Sequence, residues 1–136
     1  MAVEGVLTTI PGLEAGEDLS NDQYKFVKLT DDFEVKKAGA GEMAIGVLQN
    51  APDNGEAATV AVFGKTKVKA DGDTDTAISA GDAISSNSGG VAVKTGDATT
   101  DDSDRELGQA LNGTSADGEV ISAFINCVSG YDVSTT

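Results

Sequence analysis

The sequence predicts an all-β protein: a small antiparallel β-barrel or sandwich of short hairpins, entered by an extended N-terminal arm. Three observations carry this. Turn signals recur roughly every 8–12 residues along the chain. Seventeen glycines with only 4% aromatic residues suit many short strands joined by tight turns. No stretch of about ten residues shows helical periodicity, whereas one strand–turn–strand signature occurs twice.

The first copy is Gly41–Gly64. Apolar residues run through Ala44–Leu48, and Pro52, Asp53, Asn54 and Gly55 then supply the turn. Proline presets its own φ, and Asn and Gly tolerate positive φ. Ala58–Phe63 resumes with β-branched and aromatic residues, as a returning strand does. The second copy is Leu107–Ile125, in which Gly108 matches Gly46, Gly118-Glu119 matches Gly55-Glu56, and Val120–Ile125 matches the returning strand.

The other elements follow in order. Met1–Asp18 is polar, with isolated Val6, Leu7, Ile10 and Leu13 and a Pro11-Gly12 break. It reads as an arm that docks on a neighbour, with those four residues as anchors; the alternative is that it packs back on its own domain. An extended arm can add a strand to an open sheet edge and satisfy backbone groups on both chains. Leu19–Asp32 alternates like a strand and is expected to bury Phe26, Val27 and Leu29. Phe33–Ala40 is a short strand and turn, Lys65–Ala70 another strand, and Ile78–Lys94 a small hairpin around Asn87-Ser88-Gly89-Gly90. Val120–Val128 is the most apolar run. The expected organisation is an arm over residues 1–18, one β domain over 19–128, and a polar tail over 129–136.

Charge and composition exclude several function classes. The formal net charge is −14, from 23 Asp plus Glu against 9 Lys plus Arg. A face that binds nucleic acid or an anionic membrane needs clustered cations, so neither is an expected partner. Histidine is absent, which removes imidazole bases, imidazole metal ligands and Ser-His or Cys-His catalysis. The single cysteine, Cys127, cannot form an intrachain disulfide and reads as a small buried hydrophobe. Asp71, Asp73 and Asp75 mimic the start of a calcium loop. Thr76, however, stands where that loop needs Gly, and Asp82 where it needs a bidentate Glu. They read first as an acidic hairpin tip, and calcium binding remains the alternative. No cofactor is implied. No run is long enough to span a membrane, and the N-terminus lacks the pattern of a secretory signal, so synthesis in the cytoplasm is expected.

A family resemblance rests on Asp18-Leu19-Ser20, on Gln23–Leu29, and on the block Ala38–Asn50. It continues through Pro52, Gly55-Glu56-Ala57, the Ala80-Gly81-Asp82 turn, and Ala116–Glu119 before the last strand. Over about residues 18–128 the chain resembles the capsid decoration, or cement, proteins of tailed phages and related viruses. The resemblance implies a non-enzymatic, β-tulip-like protein that binds the outer surface of an assembled shell of major capsid protein and stabilises it. It also implies a homotrimer on the virion. The competing expectation is a virion- or cell-surface binding module for calcium or a host glycan. The chain departs from the family in its acidity and its acidic stretch at Asp97–Asp104.

Overall fold

Strand β5 (Ala57–Lys69) organises the molecule. Ala58, Val60, Val62, Thr66 and Val68 are buried, whereas Thr59, Phe63, Lys65 and Lys67 are exposed. That two-residue alternation arises when one face of a strand meets a core. Gly64, at φ 119°, lies midway along the buried face, and the two halves of that face enter two different cores. The computed structural model describes residues 7–71, 77–95, 105–114, 119–127 and 131–132.

The first half of β5 closes a ring with β1 (Leu7–Ala15), β2 (Phe26–Asp31), β3 (Glu34–Lys37) and β4 (Gly46–Leu48). The order is β1-β3-β2-β4-β5, and β5 returns to β1. Leu13, Ala15, Val27, Val35, Leu48 and Val60 fill the interior of this first ring. The second half of β5 belongs to another ring, with β6 (Ala83–Ser86), β7 (Ala92–Lys94), β9 (Gly108–Ala110) and β10 (Val120–Asn126). A single bridge, Ala70 to Ala92, closes it. Its core holds Val68, Ile84, Leu107, Ile121 and Ile125, joined by Phe26, Val47 and Ala61 from the outer wall of the first ring. Short strands β8 (Arg105–Glu106) and β11 (Tyr131–Asp132) pair as a separate ribbon.

The two rings are the same structure twice. Val27 opposes Gly46 and Lys37 as Ile84 opposes Gly108 and Lys94. Leu48 opposes Val60 as Ala110 opposes Ala123. The parallel closure of Ala15 on Val35 recurs as Ala70 on Ala92. Isolated hydrogen bonds repeat as well. The Tyr24 N–H donates to the Leu48 carbonyl at 2.7 Å, and the Gly81 N–H donates to Ala110 at 2.8 Å. The Ala15 N–H donates to Glu56 at 2.9 Å, and that of Ala70 donates to Glu119 at 2.8 Å. The side chain of Asn50 accepts from the Thr59 N–H, and that of Asn112 accepts from Ser122. Positive φ recurs at matched sites too: 69° at Tyr24 and 94° at Gly81, 55° at Phe33 and 78° at Gly90. The repeated hairpin read from the sequence is therefore one part of a duplicated five-stranded ring.

The all-β class stands among the described residues, with several differences in detail. Pairing is mixed rather than purely antiparallel, because each ring closes through a parallel contact. Lys65–Ala70 is not a separate strand but mostly the continuation of β5 through Gly64. Only Phe26–Asp31 of the expected Leu19–Asp32 strand is extended. Before it the chain turns, with the Asp22 N–H bonded to the Leu19 carbonyl at 3.0 Å. Phe26 and Val27 are buried as expected, but Leu29 is 50% exposed. It shares Val27's inward face, yet it sits beyond the last layer of the first ring's interior.

Candidate docking surfaces

The four anchor candidates of the N-terminal segment separate. Val6 lies outside the described residues. Leu13 is buried inside the first ring and therefore serves its own core. Leu7 is exposed at the start of β1, and Ile10 is half-buried. β1 pairs with β5 from Leu7 to Glu14 and with β3 at Glu14 and Ala15. One edge of β1 is thus paired with β5 along its length, which holds this apolar-poor segment on its own sheet.

Ile10 also lines an apolar groove of about 410 Å³ at one mouth of the first ring. Leu29, Met43, Ile45, Val62 and Cys127 complete most of its wall. Leu29 and Met43 stand at its rim, 50% and 54% exposed. The Cys127 thiol is buried, and loss of solvation pushes its pKa up to about 12. The thiol therefore stays protonated at neutral pH and is a poor nucleophile, matching the inert role read from the sequence.

Two further exposed features stand out. On the outer face of the second ring, Phe63 and Phe124 meet edge to face, with ring centroids 5.2 Å apart and planes at 81°. Lys65 and Lys67 extend from the same face of β5, and the Lys67 ammonium lies 5.8 Å from the Tyr24 ring centroid. At the tip between β2 and β3, Phe33 is 72% exposed at φ 55°, flanked by Asp31, Asp32 and Glu34. A left-handed backbone under a bulky side chain is costly, and glycine or asparagine normally fills such a tip.

Polar contacts brace these surfaces. Lys28 Nζ donates to Glu42 Oε1 at 2.7 Å. That bond, with a lesser one from the Gly39 N–H, holds the Glu42 carboxyl below its ordinary pKa against a partly opposing loss of solvation. Asp22 takes Lys25 at 2.8 Å and Lys37 at 4.0 Å, which ties the entry to β2 onto β3.

Of the calcium-loop candidates, Asp73 and Asp75 lie outside the described residues. Asp71 is half-buried, and its N–H donates to the Ala92 carbonyl at 2.9 Å as part of the second ring's closure. Among the described residues no three acidic or cysteine side chains cluster as a metal site. Sequence reasoning missed Met43, Ile45, Val62 and Phe124 as surface-forming residues. Only Phe33, an aromatic set among acids in a turn, left a local signal.

Fold and surface together define a small all-β, double-ring protein whose distinctive exposed chemistry is apolar. No protein-family model matches the chain, and no curated protein does. Among solved structures, the chain is similar to the N base of the head fiber protein gp8.5 in bacteriophage phi29. The TM-score is 0.63 at 20% identity, covering 93% of this chain and 99% of that one. At that identity the likeness establishes a shared fold.

Proposed function

We propose that this chain is a structural protein of a phage virion, a decoration or cement protein. It binds the outer surface of the assembled shell of major capsid protein and stabilises it, with a homotrimer as the bound unit. The observation that carries this reading is the fold shared, over nearly the whole of both chains, with the base of a phage head fiber. The sequence resemblance to decoration proteins points the same way. So does the chemistry: a β protein without an imidazole can gain function through valency, because many weak contacts on one particle act together. In this reading the protein is not an enzyme, and Val6, Leu7, Ile10 and Leu13 are the contact candidates, Leu13 being the one that the first ring buries.

The test is co-sedimentation of the purified chain with expanded empty shells of its cognate major capsid protein. Stoichiometric binding is expected, together with a higher temperature of shell rupture. Shells that sediment bare in the presence of saturating protein would refute the reading.

A further inference from the structure

Each of the two rings has a mouth and an outer wall, and among the described residues one mouth meets one wall. The mouth of the second ring is capped by the outer wall of the first. Gln49 Nε2 donates to Thr66 Oγ1 at 2.8 Å. The Gly41 N–H donates to the Ser86 carbonyl at 2.9 Å, and the Phe26 N–H to that of Gly90 at 2.8 Å. Wall residue Ala61 lies in the second ring's core cluster. Thr66 and Ser86 at that mouth are 5% and 0% exposed.

Among the described residues nothing covers the matching mouth of the first ring: it is the apolar groove beside Ile10. The matching wall of the second ring is also uncovered among the described residues. Register fixes the correspondence. Ile10 opposes Val60 as Thr66 opposes Ala123, so Ile10 stands where Thr66 does. The β2–β3 and β6–β7 hairpins have equal lengths, which places Leu29 at Ser86 and Phe33 at Gly90. On the walls, Val47 opposes Ala61 as Gln109 opposes Phe124, so Phe124 stands at Ala61. The Gln49 N–H bonds to Thr59 as that of Leu111 bonds to Ser122, so Leu111 stands at Gln49.

At five of these positions the change runs in one direction, whereas Phe26 and Val47 of the covered wall are matched by Ala83 and Gln109. Where the covered joint has Thr66, Ser86, Gly90, Gln49 and Ala61, the uncovered ends have Ile10, Leu29, Phe33, Leu111 and Phe124. Four of those five are exposed large hydrophobics, from Phe124 at 42% to Phe33 at 72%. Solvent-facing ends of a repeat are ordinarily more polar than its buried joints. At those five positions they are more apolar, which is the chemistry of a joint made between molecules: covalent linkage already holds the internal joint, whereas a second chain needs affinity.

We infer that the open mouth of the first ring docks the second-ring wall of another copy of this chain, repeating between molecules the contact that joins the two rings within one. Phe124 and Leu111 of one copy cover Ile10, Leu29 and Phe33 of the next. The contact is heterologous, so it closes into a small ring of copies or extends as a column. It deepens the copy-on-copy part of the proposed function and fails separately from shell binding.

The test is sedimentation equilibrium of the purified chain from about 10 µM to 1 mM, a span suited to small interfaces. Moderate salt screens the repulsion between acidic copies. The weight-average mass is expected to rise beyond twice the 13.7 kDa of one chain. Leu29→Asp and Phe124→Asp should each stay monomeric, while Asn54→Asp, which adds the same charge on a distant exposed turn, associates like the parent. An equimolar mixture of Leu29→Asp and Phe124→Asp should regain association but stop at a dimer, since only one intact mouth and one intact wall remain. That rescue also shows both variants to be folded. A monomeric parent, variants that associate like the parent, or a mixture that remains monomeric would each overturn the inference. If the parent is monomeric and Leu29→Asp abolishes shell binding, the open mouth belongs to the shell, and the inference fails while the proposed function stands.

Discussion

Three side chains show how single positions report on the whole. Tyr24 and Phe33 hold left-handed backbone where the second ring places Gly81 and Gly90. At Tyr24 the strain is compensated, because its N–H and carbonyl bond to Leu48 and Lys69 and its ring meets the Lys67 ammonium. Phe33 has no comparable ring contact among the described residues and is 72% exposed, so local energetics alone would favour glycine there. Cys127 is the residue whose chemistry makes a direct prediction. Burial pushes its pKa from 9.0 up to about 12, so the folded state holds this proton where the unfolded chain releases it. The associated stability is fully present below pH 9 and is lost as pH rises toward 12. By pH 10 the loss is about 1–2 kcal/mol. Urea titrations of the parent and Cys127→Ala at pH 8, 9 and 10 should therefore converge, the difference in unfolding free energy shrinking by about that amount. Curves that stay parallel over this range would mean that the thiol ionises equally in both states.

At the scale of elements, Gly46 and Gly108 are the matched points where β4 meets β5 and β9 meets β10. A methyl on Gly46 would lie 2.1 Å from the Ala61 carbonyl oxygen, and one on Gly108 would lie 2.4 Å from that of Phe124. Backbone cannot yield as a flexible side chain can, so either alanine must separate a strand pair. Gly46→Ala and Gly108→Ala should each cost about 2–3 kcal/mol. Gly89→Ala, whose nearest neighbour is the Asn87 side chain at 3.6 Å, should be close to neutral. Thermal melts that rank all three together would contradict the close strand approach. These two glycines were legible as partners in the sequence because turn chemistry and the residues beside it are local. The Pro52–Gly55 turn and the hairpins it joins were legible for the same reason. The rest of the duplication was not, since Tyr24 matches Gly81 and Phe33 matches Gly90 with no likeness of side chain. The open mouth was equally hidden: Ile10, Leu29, Ile45 and Val62 come from separate segments and meet only when the ring closes. Leu29 has the alternation of a buried residue, and only the position of the ring's end decides its exposure.

At the scale of the molecule, the question is whether two rings make one cooperative unit or two. Each has its own interior, which by itself would allow separate unfolding. Two features couple them. β5 runs through both as one strand of 13 residues, so the first ring cannot open along β5 without loosening the strand that anchors β10. Phe26, Val47 and Ala61 belong by backbone to the first ring but are buried in the second ring's core. Unfolding the second ring alone would place a phenylalanine and its neighbours in water, at about 25 cal/mol for each Å² of apolar surface exposed. The rings are therefore expected to unfold together in a single transition. Leu48→Ala in the first interior and Ile121→Ala in the second, both at fully buried sites, should each cost about 2–4 kcal/mol. Each should lower one common midpoint without splitting it. Native-state amide exchange sharpens the test: Ile121→Ala should reduce protection at Val60 in the first ring as well as at Ala123 in the second. If Val60 keeps its parental protection while Ala123 exchanges faster, the rings are separate folding units, and β5 is a tether rather than a shared wall.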